Sequence, residues 1–514
     1  MKLYLKGHSY KYAVEQMLLA LFPEERPEYP ETPPVSGEDA VLCSLHQGPV
    51  WVTAVTKLLR GGVVYQRSAR TKTAQLGGKL TADRALTKII KLSFFKAASE
   101  CVGKTPPWGA LTGIRPAKIV TRILEEGGGP KRADALLRDT YFVSPERRRL
   151  CIDAAKAGLA VKRTLKPDEI SLYVGIPFCP TRCAYCSFVS NSVEKSLKLI
   201  EPYLDALFRE IDYAGTIVRR AGLSIKTVYM GGGTPTTLSA PQLAGLMARI
   251  EAAFDLSRCA EYTVEAGRPD TITVGKLEAI RSGGAERVSI NPQTMRDNVL
   301  EAIGRRHSAP EVRTAMDLAR RVGFAALNMD LIAGLPEDDF QGFAYSVNEV
   351  LKFRPENITV HTLALKNGSR LKMEGRQIPA AQEVGRMLDY AGRRLREEGY
   401  SPYYLYRQKF MAGSFENVGW CLPGREGLYN ICMMEELHSV LSLGAGGMTK
   451  LVNPESGLIH RVCNPKYPFE YISRLEKILK GKEELAAFYD EIASCPDGAA
   501  EKENQRFQGT RSMR

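Results

Sequence analysis

The chain has 514 residues, 44% of them hydrophobic and 25% charged, with a net charge of +13 at pH 7. That length exceeds one ordinary core, so two or three domains are expected in a soluble globular protein. No apolar run reaches the ~18 residues of a spanning helix, and "MKLYLKGHSY" is not a secretory leader; a cytoplasmic protein without a membrane span is expected. The 11 cysteines are an odd number, spread thinly apart from one cluster. That usage suits a reducing compartment and free or metal-bound thiols.

Residues 1–165 read as a small, separate α/β or α+β domain. "MKLYLKGHSYKYAVEQMLLALF" is a short strand and then a helix, and "PEERPEYPETPPVSGED" is an exposed loop dense in proline and acid. "AVLCSLHQGPVWVTAVTKLL" is β-branched strand material, and "TADRALTKIIKLSFFKAASECVG" has helical spacing. "LTGIRPAKIVTRILEEGG" gives a turn and a helix closed by glycine. From Lys57 to Lys104, eleven Lys or Arg stand against only Asp83 and Glu100. Such a stretch is a solvated face, a nucleic-acid contact, or a contact for a small substrate bearing several carboxylates. Few aromatics interleave with it and no RNA-binding motif is present, so nucleic acid is not an expected partner.

From 166 the pattern changes to strand–loop–helix, repeated. The strands are "SLYVGIP", "KTVYM", "EYTVEA", "ERVSI", "ALNMDLI" and "NITVHTL". Two intervening helices open with "SAPQ" (239–242) and "SAPE" (308–311), each a capping box in which serine and the third residue on satisfy each other's orphan N–H groups. Alternating strands and helices predict a parallel sheet, and six units predict a partial (β/α)6 barrel over 166–400, followed by a C-terminal appendage over 401–514. "GIPFCPTRC", "GGGTPTTL", "EAGRPD", "NPQTM", "DLIAGLPED" and "TLALKNGS" each begin at or just past a strand's C-terminal end. In such a barrel those ends share one face, where active sites are built.

"GIPFCPTRCAYCSF" places Cys179, Cys183 and Cys186 in a C-x3-C-x2-C pattern. Thiolates prefer soft metals, but the next cysteine is Cys259 and the nearest downstream histidine His307, neither at the spacing of a zinc-ligand pair. A 4Fe–4S cluster on three cysteines leaves one iron open, and an open metal position is where a substrate or cofactor binds. The glycines of "GGGTP" let backbone approach a ligand, or simply make a turn. Glu265, ending the third strand, is placed to bind an ammonium or a ribose hydroxyl, or sits on a solvated rim. Gln293, Arg305 and Asp330, from the fourth and fifth units, read singly as surface or capping residues.

With Tyr185 before its last cysteine, the cluster resembles the signature of radical S-adenosylmethionine enzymes. The resemblance implies a 4Fe–4S cluster whose open iron is chelated by S-adenosylmethionine, which an electron cleaves to methionine and a 5′-deoxyadenosyl radical. "LYVGIPFC…CAYCSF", "YMGGGTPTTL", "RVSINPQTM…LEAIGRRH" and "NMDLIAGLP" together resemble the oxygen-independent coproporphyrinogen III oxidase/dehydrogenase-like family; "LTGIRPAK" and "NPQTM" resemble its long branch with an N-terminal extension. That family implies an oxidoreductase of heme biosynthesis. Its anionic tetrapyrrole substrate, coproporphyrinogen III, is oxidatively decarboxylated to protoporphyrinogen IX with a flavodoxin- or ferredoxin-like electron donor. Carried over by motif, Tyr173, Gly232, Glu265 and Ala364 line the site of the cluster-bound S-adenosylmethionine. Tyr185, Gly233, Thr234, Gln293, Arg305 and Asp330 match positions that contact a second molecule of it. Arg268, Arg305 and Arg306 are expected to clamp substrate carboxylates. Three departures stand out: Phe188 in place of a fourth cysteine, Gly175 in place of a lead-in histidine, and "EAGRPD" for "E-x-N-P". The first is shared with heme chaperones of the family, which makes a heme carrier the alternative, beside a radical enzyme acting on RNA.

Overall fold

The computed structural model describes residues 1–31, 37–186, 191–192, 197–366, 368–408, 412–453 and 456–494. The chain divides into two compact units, one of Met1–Ile152 with short stretches around Arg407 and Phe415, the other of the remainder.

In the N-terminal unit, β1 (Lys2–Lys6) pairs in parallel with β2 (Ala40–Gln47), and β2, β3 (Trp51–Arg60) and β4 (Val63–Lys72) form an antiparallel meander. Val52, Ala54 and Leu58 alternate along β3 with half-buried or exposed residues. Those inward residues pack with Val14 and Met17 of α1 (Lys11–Leu21) and Ile90 and Phe94 of α2 (Lys79–Val102). The expected strand–helix order holds here, but β4 is an addition. "VVYQRSARTK" has no apolar alternation; it is a strand because it pairs residue for residue with β3 across Gly61 and Gly62. Both glycines have positive φ, 55° and 78°, as a two-residue hairpin turn requires. Two further helices, α3 (Ala117–Glu125) and α4 (Pro130–Asp139), follow, and the start of α5 (Pro145–Lys162) ends the unit.

In the second unit the six expected strands are β5 (Glu169–Ile176), β8 (Ser224–Gly232), β9 (Glu261–Gly267), β10 (Arg287–Ile290), β11 (Ala326–Ala333) and β12 (Asn357–Thr362). They lie side by side in chain order, all parallel. A short parallel pair, β6 (Phe178–Cys179) and β7 (Asn191–Ser192), sits within the loop that follows β5. The sheet is open. Beyond β12 it continues through β14 (Glu416–Cys421) to β13 (Ser401–Arg407), and beyond β5 through β15 (Val440–Leu443), β16 (Met448–Val452) and β17 (Ile459–Cys463), eleven strands in all. The segment from 401 thus extends the same sheet. Both capping boxes form: Gln242 N–H donates to Ser239 Oγ at 3.4 Å and Ser239 N–H to Gln242 Oε1 at 2.8 Å, while Ser308 N–H donates to Glu311 at 2.7 Å.

Inside the sheet, Ser171 Oγ shares hydrogen bonds of 2.7 Å with Thr227 Oγ1 and with His438 Nε2. Burial pushes the His438 imidazole down to about 4. An imidazole harder to protonate in the fold than in the unfolded chain contributes stability above its ordinary value near 6.5, lost as pH falls toward 4. Acidification from about pH 7 to 5 is therefore expected to lose on the order of 2 kcal/mol through this residue. His438→Gln should flatten that part of the thermal midpoint's pH dependence.

Candidate active site

The C-terminal ends of β5 and β8 are joined backbone to backbone. Gly233 N–H donates to Ile176 O and Thr234 N–H to Phe178 O, each at 2.7 Å. A Cβ on Gly233 would lie 2.5 Å from the Phe178 carbonyl, and one on Gly231 2.8 Å from Glu265 Oε2. Gly232 has φ +108°, a conformation few side-chain-bearing residues adopt. The glycine loop is thus required by the chain's own close packing against the cysteine segment, a reason the sequence did not reveal.

Cys179, Cys183 and Cys186 follow at once, half-buried and outside any disulfide. Thr234 Oγ1 donates to Cys179 Sγ at 3.5 Å, and Arg268 Nη1 donates to Cys183 Sγ at 3.6 Å. Burial opposes ionisation of Cys183, but the Arg305 and Arg268 guanidiniums outweigh it and hold the thiol below its ordinary value. Among the described residues no three Cys, His, Asp or Glu side chains gather about one point, as a single-ion site would need. A cubane would instead take each thiolate on a different iron, so three uncrosslinked thiols in one loop, with Cys183 favoured as a thiolate by two guanidiniums, fit such a cluster. The buried Cys421 and Cys432 and the half-buried Cys259 are unlike Cys183: burial pushes the first two up to about 12 and the third up to about 11.

Tyr173 and Tyr229 are register partners on β5 and β8, with rings stacked at 6.3 Å, and Tyr429 stacks on Tyr229 at 4.4 Å. Tyr229 Oη donates to Glu265 Oε1 at 2.5 Å. Burial pushes Glu265 up to about 7, aided by the nearby Asp330 carboxylate and opposed by the Tyr229 and Gly232 hydrogen bonds. Burial likewise disfavours charge on Asp330, but His361, 3.6 Å away, and Asn328, donating at 2.8 Å, hold it below its ordinary value. Tyr229 and Tyr429 were not among the expected residues. Tyr229 was findable from its inward parity, two residues before the glycine loop; Tyr429 had no local signal.

Gln293 has a φ of +71°, unusual for a residue other than glycine. Its backbone is held on β11, with Gln293 N–H to Asp330 O at 2.9 Å and Ile332 N–H to Gln293 O at 3.0 Å. Its side-chain Oε1 is buried with no hydrogen-bond partner. A strained backbone presenting an unsatisfied acceptor marks a place prepared for a ligand. Arg305, 8% exposed, donates to Asn291 O at 2.5 Å and to Tyr185 Oη at 3.1 Å, which joins the cysteine loop to the fourth unit. Ala364 follows β12 at the same end of the sheet. Arg268 departs from its expected role: it is 3% exposed and bound to Asp270 at 3.0 Å and Thr181 Oγ1 at 3.0 Å, so it braces the cysteine loop. Arg306 is exposed and joins Arg182, Arg305, Arg370, Thr181 and Glu301 around a cleft of about 460 Å³ beside that loop. Phe188 lies outside the described residues.

The radical SAM superfamily profile matches residues 173–346. The oxygen-independent coproporphyrinogen-III oxidase-like protein HemZ of Bacillus subtilis is 39% identical over 379 residues, 73% of this chain and 76% of that protein. The heme chaperone HemW of the same organism is 32% identical over 240 residues, 46% of this chain and 62% of that protein. Among solved structures, coproporphyrinogen III oxidase (HemN) of Escherichia coli, described as a radical SAM enzyme, aligns at 22% identity over 63% of this chain and 73% of its own, with a TM-score of 0.49. The chain belongs to the radical S-adenosylmethionine superfamily and, within it, to the oxygen-independent coproporphyrinogen III oxidase-like family.

Proposed function

We propose that the chain is an oxygen-independent tetrapyrrole decarboxylase that converts two propionates of coproporphyrinogen III to the vinyls of protoporphyrinogen IX. The observation that carries this reading is the cleft walled by Arg182, Arg305, Arg306 and Arg370 beside the three-cysteine loop, because the substrate is a tetracarboxylate. Guanidinium forks bind carboxylates bidentately, so the exposed Arg182, Arg306 and Arg370 would hold some propionates while another faces the chemistry. Cys179, Cys183 and Cys186 would hold a 4Fe–4S cluster. Together with S-adenosylmethionine, that cluster supplies the one-electron cleavage that makes a hydrogen-abstracting radical.

The protein's own work is placement. Glu265, fixed by Tyr229, would take the ammonium or a ribose hydroxyl of S-adenosylmethionine, and the free Oε1 of Gln293 would accept a further donor. The stacked Tyr173, Tyr229 and Tyr429 would help keep water from Glu265, and exclusion of water protects a reactive intermediate. Because burial pushes Glu265 up to about 7, its anionic form increases with pH across neutrality, and an anion attracts the ammonium. S-adenosylmethionine affinity should therefore rise by about tenfold from roughly pH 6 to 8 in equilibrium binding, and Glu265→Gln should bind weakly with little pH dependence.

A heme carrier is the second reading, favoured by the 32% identity to a relative named a heme chaperone. The two separate on anaerobic incubation of the cluster-loaded, reduced protein with S-adenosylmethionine and coproporphyrinogen III. Protoporphyrinogen IX with matching 5′-deoxyadenosine supports the decarboxylase. Stable heme binding with no product supports the carrier.

A further inference from the structure

Several cations of the N-terminal unit are paired with carboxylates. Lys2 pairs with Glu38 at 2.9 Å, Arg60 with Glu25 at 3.5 Å, and Arg67 with Glu100 at 2.7 Å. Arg70, Lys72 and Lys88 make no ion pair with any described carboxylate. Instead all three line one cleft of about 480 Å³, together with Trp51, Ile89 and Leu92.

The strand register explains how they meet. Lys72 stands opposite Trp51 across the β3–β4 pair, and Arg70 opposite Thr53 on the same face. The Arg70 guanidinium lies 4.3 Å from the Trp51 ring centroid and the Lys72 ammonium 6.0 Å from it. Lys88 arrives from α2, 5.4 Å over the Tyr141 ring. Burial pushes the Lys88 ammonium below its ordinary value, and a bound anion would offset that loss. None of β1–β4 contains an acidic residue, and no Asp or Glu lines the cleft.

One wall is therefore aromatic and aliphatic while the rim is cationic. That chemistry selects a ligand with a flat apolar body and several carboxylates, and the volume falls within the range of small-molecule sites. A single strand of nucleic acid needs a longer track of aromatic platforms, whereas Trp51 is the one aromatic lining this cleft.

We propose that this cleft is a second binding site, in the N-terminal unit, for a tetrapyrrole polycarboxylate. The ring lies against Trp51, Ile89 and Leu92, and its carboxylates engage Arg70, Lys72 and Lys88. The assignment rests on the tetrapyrrole reading above and deepens it by adding a holding site to the site of chemistry.

The test titrates full-length protein with coproporphyrin III, the stable oxidised tetracarboxylate, and follows its absorption and fluorescence anisotropy. Arg70 and Lys72 are both exposed, so Arg70→Glu/Lys72→Glu leaves the core intact, which near-ultraviolet circular dichroism verifies. Wild type is expected to take two equivalents and the double variant one, the lost site weakened at least tenfold; etioporphyrin, which has no carboxylates, should not fill it. Equal stoichiometry and affinity in wild type and variant overturn the site while leaving decarboxylation, assayed separately, untouched. A site lost in the variant but no turnover by wild type retains the site and removes the decarboxylase reading. Binding of a single-stranded oligonucleotide that needs Arg70 and Lys72, without binding of coproporphyrin, overturns the assignment in favour of nucleic acid.

Discussion

Cys183→Ser is expected to abolish cluster assembly and lower turnover by more than about 100-fold, the most that losing a mere supporting contact to a metal ligand costs. The hydroxyl that replaces the thiol is a hard, poorly ionised ligand for soft iron. It also loses the guanidinium environment's effect, since Arg305 and Arg268 favour a thiolate at this position. Iron and sulfide analysis after anaerobic reconstitution gives the result directly. Cys421→Ser and Cys432→Ser should retain full cluster content, because burial keeps both thiols protonated in a small apolar cluster. Normal cluster content in Cys183→Ser would remove the assignment of the three-cysteine loop.

The largest stability effect is expected at a buried ion pair in the barrel unit. Lys482 Nζ lies 2.9 Å from Glu210 Oε1, with side-chain exposures of 3% and 0%. Glu210 also accepts from Gly444 N–H at 2.7 Å, Asn464 Nδ2 at 2.8 Å and Tyr471 Oη at 2.5 Å, tying helix Ile200–Arg220 to the "LSLGAGG" turn. Lys482→Met leaves that carboxylate buried without its countercharge and should destabilise by ~3–5 kcal/mol. Replacing both partners, as Glu210→Leu/Lys482→Met, removes the stranded charge and should recover part of the loss. Thermal midpoints of the two variants at neutral pH check this, and a single variant as stable as wild type would contradict it.

The six parallel strands were legible because each is a short, largely apolar run and most of them meet glycine or proline at or just past their ends, and such punctuation needs only local chemistry. The cysteine spacing was legible for the same reason. What escaped depends on distant partners. β4 is a strand only because β3 pairs with it, and the Trp51–Arg70–Lys72 wall exists only in that register. Arg268 looked like a free cation at a strand end, but its neighbours Asp270 and Thr181 hold it within the cysteine loop. The glycines of "GGGTP" carried two explanations, ligand approach and turn, and the geometry adds a third, the carbonyl of Phe178 at contact distance. The unusual φ of Gln293 has no signature in "NPQTM", because its cause is a pair of hydrogen bonds to β11.

The most direct measurement uses coproporphyrinogen III deuterated at the propionate β-carbons, incubated anaerobically with reduced, cluster-loaded protein and S-adenosylmethionine. Hydrogen abstraction from that carbon predicts 5′-deoxyadenosine one mass unit heavier, formed in step with decarboxylated product. Unlabelled 5′-deoxyadenosine, or none at all, would contradict the decarboxylase account.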